Sequence, residues 1–144
     1  MAPNFLFKAG AKYVAEETSI NLNQVTLAVS DVPRAIDFYQ RLGLQLIVQN
    51  LPGYARFCCP DGQASFSLSQ VAQVTPSQTL IYFECAELDA TVARLQANGV
   101  VFSQLPIDQP WLWREAYLHD PDGNPLCLYH AGSNRLNPPW RLLD

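Results

Sequence analysis

The 144-residue chain carries few charged residues, and its basic residues form no cluster. Nine lysines and arginines stand against thirteen aspartates and glutamates, which gives a net charge of −4 at pH 7. Nucleic-acid binding needs a basic patch or stripe, and the sequence has none. We therefore expect no nucleic acid among its partners.

Long apolar runs are also absent. No stretch approaches the roughly 20 consecutive apolar residues of a membrane helix, so we expect no membrane association. The first twenty residues hold only a short apolar patch followed by charges, which is not typical of a signal peptide. The four cysteines show neither disulfide nor zinc spacing, which indicates reduced thiols in a cytoplasmic protein.

Familiar catalytic motifs are missing as well. The sequence has no glycine-rich phosphate loop and no serine nucleophile elbow. Its two histidines, His119 and His130, are the only imidazoles available for metal binding or acid–base chemistry. These absences exclude the common nucleotide-binding and serine-hydrolase classes.

What the sequence does contain is an internal repeat. The segment from Gln24 to Asp31 and the segment from Leu80 to Glu87 both alternate like a half-buried strand and end in an acidic residue. An amphipathic helical pattern follows each segment and ends at Gly43 or Gly99, so the offset is 56 residues throughout. Ser30 or Asp31 is expected to cap the first helix.

Shorter strand patterns complete each copy, so each half is predicted to be a βαβββ module. The predicted strands after the helices are 44–49, 54–59, 64–69, 100–104, 112–119 and 126–129, with a proline-rich loop over 105–110. A solenoid needs at least three repeats, whereas two long copies favour a paired α+β fold.

This arrangement resembles the vicinal oxygen chelate superfamily, which includes glyoxalase I, bleomycin resistance proteins, fosfomycin resistance proteins and extradiol dioxygenases. The resemblance covers residues 21–130. The matching segments are Val25–Tyr39 with Leu42 and Gly43, Leu88–Leu95 with Gly99, and the turn Asp120-Pro-Asp-Gly-Asn124. It implies two βαβββ modules that pair to form a U-shaped cup.

The resemblance also gives domain boundaries. We expect an N-terminal arm over residues 1–20 and a single glyoxalase-like domain over 21–131. Module one would span 21–70 and module two 79–131, and a C-terminal tail would span 132–144.

Metal-dependent members of the superfamily hold a divalent ion at four equivalent strand positions. Those positions are filled here by Gln24, Ser67 or Phe66, Leu80 and Cys127. A catalytic divalent site needs three or four donors of matched softness, and this set offers one weak hard donor and one soft thiol. We therefore predict no metal and no other cofactor, while a relocated site of Gln24, Glu84 and His119 stays conceivable.

Other residues on the predicted strands are candidates for ligand contact or catalysis. Glu84 and His119 are the candidate acid–base residues, since a carboxylate in a dry cup and an imidazole can both exchange protons near neutral pH. An apolar pocket with polar tips is typical of ligand sites. The predicted ligand-binding residues are Gln24, Thr26, Tyr82, Glu84, Trp113, Tyr117, Cys127 and Tyr129.

The function we predict is the binding of a small, neutral or cationic organic molecule in the cup, without a catalytic metal, by a cytoplasmic homodimer. Whether the protein is an enzyme stays open. One alternative is a metal-dependent lyase or dioxygenase of the glyoxalase type with altered ligands. Another is a metal-free lyase or isomerase that uses Glu84 and His119.

Overall fold

The computed structural model describes residues 19–143, which form two modules of the same element order. The first contains β1 (Gln24–Val29), α1 (Val32–Leu42), β2 (Gln45–Asn50), β3 (Tyr54–Cys58) and β4 (Ser65–Gln70). The second contains β5 (Ile81–Glu84), α2 (Leu88–Ala97), β6 (Phe102–Asp108), β7 (Arg114–His119) and β8 (Pro125–His130), followed by a 3-10 turn at Gly132–Asn134. The predicted α+β fold of two paired βαβββ modules is confirmed.

Each module builds one four-stranded sheet in which the first strand lies parallel to the last. The strand orders are β1-β4-β3-β2 and β5-β8-β7-β6. Because side chains alternate along a strand, each sheet has a face that packs towards its helix and an opposite face, here called the open face. Gln24 lies beside Ser65 on the first sheet, and Tyr82 lies beside Cys127 on the second.

The first helix begins and ends where its sequence signals predict. The Asp31 side chain accepts a hydrogen bond from the Arg34 backbone N–H at 3.0 Å, which satisfies one free donor of the first turn. Gly43 closes the helix with a φ of 109°, a left-handed conformation that favours glycine. These two signals set the ends of α1, and its buried residues Val32, Ala35, Ile36 and Tyr39 pack it against the first sheet.

The helix-side faces of both modules contribute to one continuous core. Its fully buried members come from both halves of the chain: Val29, Tyr39, Phe57, Leu68, Leu95, Leu118 and Leu126. Phe66 of β4 meets Phe83 of β5 edge to face, with ring centroids 5.7 Å apart. Burying one such large side chain stabilises the fold by roughly 1.5–3 kcal/mol, so the modules are held together mainly by this shared core.

Hydrogen bonds from the β7–β8 turn add a second link between the modules, here called the latch (Asp120, Asp122 and Asn124 with their partners in module one). Asp122 accepts hydrogen bonds from the Ser30 backbone N–H at 2.9 Å and the Ser30 hydroxyl at 2.6 Å. Asn124 donates to a backbone carbonyl of β1 at 3.2 Å. The β7–β8 turn therefore ties module two to module one.

The buried centre of the latch is the contact between Asp120 and Tyr39. The Tyr39 hydroxyl donates to Asp120 Oδ2 at 2.8 Å, and Asp120 is 4% exposed. Burial, and then the nearby Asp120 charge, raises the pKa of Tyr39 well above its ordinary value. The phenol therefore stays protonated and remains a donor.

One element differs from its sequence prediction. The sequence predicts a proline-rich loop over 105–110, but β6 continues through Pro106 to Asp108. This strand lies at the edge of its sheet, and its pairing with β7 is interrupted by register shifts. An edge strand with bulges accommodates a residue without an N–H, so a proline there does not end the strand.

No helix in residues 19–143 is long and apolar enough to cross a membrane. The expected arm over residues 1–20 lies almost wholly outside the described residues. The division into an arm, a domain over 21–131 and a tail stays a prediction.

Candidate ligand-binding site

Three predicted ligand-binding residues come together on the second sheet as one aromatic cluster, here called the aromatic wall (Tyr82, Trp113 and Tyr129). Trp113 and Tyr129 lie with ring centroids 4.8 Å apart and planes tilted by 31°. Tyr82 stands nearly perpendicular to both, with centroids 5.8 Å from Trp113 and 5.4 Å from Tyr129. Tyr82 remains 43% exposed, so the wall presents an aromatic surface to solvent.

Cys127 and Tyr117 lie beside the wall on the same open face. They are directly opposite each other across β7 and β8, and Cys127 is fully buried. Burial raises the pKa of Cys127 to about 12. Burial also raises the pKa of Tyr117, and a hydrogen bond to Glu115 adds to this effect. Both groups are therefore neutral near pH 7 and add no charge beside the aromatic wall.

Glu115 is a buried carboxylate that is not among the sequence-predicted site residues. It is 1% exposed and accepts hydrogen bonds from the Trp111 indole N–H at 2.8 Å and from the Tyr117 hydroxyl. The available signal was its position two residues before Tyr117, which places both side chains on the open face. Glu115 holds Tyr117 and Trp111 in place beside the aromatic wall.

Glu84 lies at the end of β5, and its side chain is one-third exposed. One of its oxygens accepts hydrogen bonds from the backbone N–H groups of Ala131 at 2.7 Å and Gly132 at 2.8 Å. Arg135 and His130 approach the carboxylate at 3.9 Å. Glu84 therefore fixes the turn that follows β8, and its second oxygen, Oε1, faces the Arg135 guanidinium.

A groove of about 770 Å³ opens between the modules where these groups meet. This volume falls within the roughly 300–1,000 Å³ that is usual for small-molecule sites. The second module contributes Tyr82, Phe83, Glu84, Ala86, Tyr129, His130, Gly132 and Arg135, and the first contributes Leu22, Cys59, Asp61, Gly62 and Ala64. Three predicted ligand-binding residues, Tyr82, Glu84 and Tyr129, thus line one groove.

The latch has no counterpart where the groove lies, at the opposite end of the contact between the modules. The 56-residue repeat places Ala86 where Ser30 lies and Leu95 where Tyr39 lies. The matching Pro-Asp-Gly turns, which are 61 residues apart, place Cys59 where Asp120 lies. None of these side chains reproduces the hydrogen bonds of the latch. Asp61, the counterpart of Asp122, is exposed, and a second cavity of about 290 Å³ adjoins the groove there and shares Asp61 and Glu84 with it.

The structure does not bring His119 and Glu84 together. His119 is exposed and pairs with Pro125, whereas Glu84 pairs with Tyr129. Those partners are four residues apart on β8, which corresponds to roughly 13 Å of strand. The two residues therefore cannot act on the same atom of one small ligand in this arrangement.

Gln24 and Thr26 lie on the open face of the first sheet, away from the lining of the groove. Gln24 Nε2 donates to the hydroxyls of Ser67 at 2.9 Å and Thr26 at 3.1 Å. Gln24 Oε1 accepts a hydrogen bond from the Ser65 hydroxyl. These two residues therefore belong to a separate polar cluster.

The residues at the four family metal positions do not fit a divalent ion. The register places Ser67, and not Phe66, on the same face as Gln24. The Gln24 oxygen is occupied by Ser65, Leu80 has no donor atom, and the Cys127 thiol stays protonated. Among residues 19–143, no group of three His, Cys, Asp or Glu side chains is arranged to hold a metal.

Comparisons with known proteins place these features in a family. A model of the Glyoxalase/Bleomycin resistance protein/Dioxygenase superfamily matches residues 21–128. No curated protein sequence matches the chain significantly.

Solved structures show the same fold. A member of this superfamily from Sphaerobacter thermophilus is 26% identical, with a TM-score of 0.65, over 77% of this chain and 97% of that one. A lactoylglutathione lyase from Agrobacterium tumefaciens is 18% identical, with a TM-score of 0.67, over 87% and 99% of the two chains. A bleomycin-binding protein in complex with bleomycin is 20% identical, with a TM-score of 0.63, over 78% and 98%. The two-module fold and the matched length together show that this chain belongs to the Glyoxalase/Bleomycin resistance protein/Dioxygenase superfamily.

Proposed function

We propose that this protein binds a small organic molecule in the groove between its modules, without a catalytic metal. The observation that carries this proposal is the aromatic wall, which leaves Tyr82 43% exposed at the edge of a 770 Å³ groove. Exposed aromatic rings beside a concave surface provide apolar contact area, and their hydroxyls orient the ligand. The bleomycin-bound relative shares the fold, and this supports a role in sequestering a ligand.

The groove favours a neutral or cationic ligand with a flat apolar part. Asp61 and Glu84 bring two carboxylates to its lining, and the chain carries a net charge of −4. Arg135 also lines the groove and offsets part of the Glu84 charge at 3.9 Å. A positive group on the ligand would be placed best near Asp61, since no Arg, Lys or His of residues 19–143 forms an ion pair with it.

Binding is tested with proflavine, a planar aromatic cation, by following the tryptophan fluorescence of the protein. Trp113 lies within the aromatic wall, so a flat ligand seated there is expected to quench its emission with saturation at one molecule per chain. Metal-free bleomycin provides a second probe of greater size. Failure of both probes to bind saturably would contradict the proposal.

We expect the purified protein to carry no stoichiometric metal. The donors at the family metal positions are occupied or unsuited, so added zinc, manganese or nickel should leave the melting temperature unchanged. Elemental analysis of protein prepared without chelator measures the content directly. One divalent ion per chain, lost in Gln24→Ala but kept in the matched surface variant Gln70→Ala, would contradict this expectation and favour a metal-dependent enzyme.

We further propose that the protein is a cytoplasmic homodimer. Ile47 on the edge strand β2 is 49% exposed, and Leu51, directly after that strand, is 45% exposed. Leu105 and Ile107 on the edge strand β6 are 50% and 49% exposed. Apolar side chains on both outer edges favour association with a second copy. The four free thiols are consistent with a reducing compartment.

Light scattering coupled to gel filtration tests the dimer. The expected mass is twice the 16.1 kDa of one chain. The double substitution Leu105→Lys, Ile107→Lys should shift the protein to the monomer without unfolding it, because both side chains are half-exposed. A wild-type mass of one chain at micromolar concentration would contradict the proposal.

A further inference from the structure

The open face of the first sheet carries a hydrogen-bonded chain that the proposed function does not use. Tyr54 and Arg56 lie on β3, where Arg56 is directly opposite Ser67 of β4 and Tyr54 is opposite Ser69. Arg56 Nε donates to the Tyr54 hydroxyl oxygen at 2.9 Å. Ser67 Oγ lies 2.7 Å from the same phenol oxygen and accepts from Gln24 Nε2 at 2.9 Å. The Tyr54 oxygen thus lies between a guanidinium and a serine hydroxyl.

The direction of each hydrogen bond follows from the Gln24 amide. The Gln24 side-chain nitrogen lies 3.2 Å from the Val25 carbonyl oxygen. A carbonyl oxygen only accepts, so Gln24 Nε2 is the donor. Ser67 therefore accepts from Gln24 and keeps its own proton to donate. Ser67 is fully buried, and within residues 19–143 the Tyr54 oxygen is the acceptor that its hydroxyl can reach.

This arrangement suits an ionised phenol better than a neutral one. A Tyr54 phenolate would accept from both Arg56 and Ser67, and it would need no donor of its own. The Arg56 guanidinium carbon also lies 5.5 Å from the centre of the Tyr54 ring, so its positive charge is close to the phenol. The Nη groups of Arg56 make no hydrogen bond within the described part of the chain.

We propose that Tyr54 is a proton-accepting group that the first sheet presents to a weakly acidic ligand, with Arg56 binding the anion that forms. The ligand class is a phenol, an enol or a compound with an acidic C–H next to a carbonyl. In the step, the Tyr54 phenolate takes a proton from the ligand's X–H bond. The X–H electron pair stays on the ligand as an anion, and Tyr54 becomes neutral.

The pKa of Tyr54 is shifted in the opposite direction from the pKa values of the other tyrosines in residues 19–143. Hydrogen bonds from Ser67 and then from Arg56 lower the pKa of Tyr54, while the opposing effect of burial is smaller. Burial raises the pKa of the four other tyrosines in residues 19–143, namely Tyr39, Tyr82, Tyr117 and Tyr129. This site lies on the first sheet and does not depend on ligand binding in the groove.

The test is a spectrophotometric pH titration of tyrosine ionisation near 295 nm, on the full chain and without ligand. We expect one tyrosine to ionise below pH 10, the ordinary midpoint of the group, and this step to disappear in Tyr54→Phe. Arg56→Met should shift the step upwards. Tyr82→Phe is the matched control and should leave it unchanged, since that tyrosine ionises at higher pH.

Reactivity provides a second readout. The Tyr54 phenolate is expected to attack the carbonyl carbon of 4-nitrophenyl acetate, forming an acetyl ester as 4-nitrophenolate leaves with its electron pair. Peptide mapping should place the acetyl group on Tyr54, with at least a fivefold loss of labelling rate in Arg56→Met. Persistence of the low step in a folded Tyr54→Phe variant, or absence of any step below pH 10 in the wild type, would overturn the proposal.

Discussion

Replacing Asp120 by alanine is expected to lower the free energy of unfolding by about 3 kcal/mol. Asp120 is 4% exposed and accepts hydrogen bonds from four donors: the Tyr39 hydroxyl, the Asn124 side-chain amide, and the backbone N–H groups of Asp122 and Asn124. Alanine would leave the Tyr39 hydroxyl buried without a partner and would release the turn from module one. The loss is larger than one hydrogen bond because several buried donors lose their acceptor together.

Urea unfolding followed by tryptophan fluorescence measures this loss. The matched control is Asp61→Ala, in the equivalent turn of module one, where the exposed side chain makes no hydrogen bond within residues 19–143. That change should stay within about 0.5 kcal/mol of the wild type. An equal loss of unfolding free energy in the two variants would contradict a stabilising role that is specific to the latch.

Tyr39→Phe provides a further check on the latch. It removes only the hydroxyl, so it should cost about 1 kcal/mol, and its effect in the Asp120→Ala background should be close to zero. Full additivity of the two changes would contradict a direct Tyr39–Asp120 interaction in solution.

The substitution Tyr82→Ala is expected to weaken proflavine binding by about tenfold or more while costing less than about 1 kcal/mol of stability. Tyr82 is 43% exposed and contacts Trp113 and Tyr129 through ring edges, so it contributes little to the core. Its ring covers one side of the groove, and its removal takes away aromatic contact area for a flat ligand. A tenfold change corresponds to about 1.4 kcal/mol of binding free energy.

Trp140→Ala is the matched control for Tyr82→Ala. Trp140 lies in the tail, is 56% exposed and is not part of the groove lining. The Trp140→Ala variant should bind proflavine with the same affinity as the wild type. An equal loss of binding in both variants would mean that proflavine adheres to exposed aromatic residues generally.

Much of the scaffold was predictable because its signals are local or repeat. The 56-residue offset predicted both modules, and Asp31 and Gly43 marked the ends of α1 through their own hydrogen bonding and backbone conformation. The extent of β6 was not predictable in this way. A proline usually interrupts a strand. Pro106 is accommodated because β6 lies at the edge of its sheet, and long-range strand pairing sets that position.

Three of the eight predicted ligand-binding residues line the groove, and their hydrogen-bond partners could not be predicted from the sequence. Alternation within a strand relates Tyr82 to Glu84 and Cys127 to Tyr129, since strand periodicity is a local property. The pairing of Tyr82 with Cys127 depends on the long-range register between β5 and β8. Glu84 was placed near them, but its hydrogen bonds go to Ala131 and Gly132, more than 40 residues later in the chain. Alternation along β7 puts Glu115 beside Tyr117, but it does not show that Trp111 folds back to donate to the Glu115 carboxylate.

We propose above all that the groove between the modules binds a small organic molecule without metal. The most direct measurement is a calorimetric titration of proflavine into EDTA-treated wild-type protein and into Tyr82→Ala, side by side. We expect saturable binding of one molecule per chain to the metal-free wild type and binding about tenfold weaker or more in the variant. Binding that appears only after a divalent metal is restored, or that is the same in both proteins, would contradict this account.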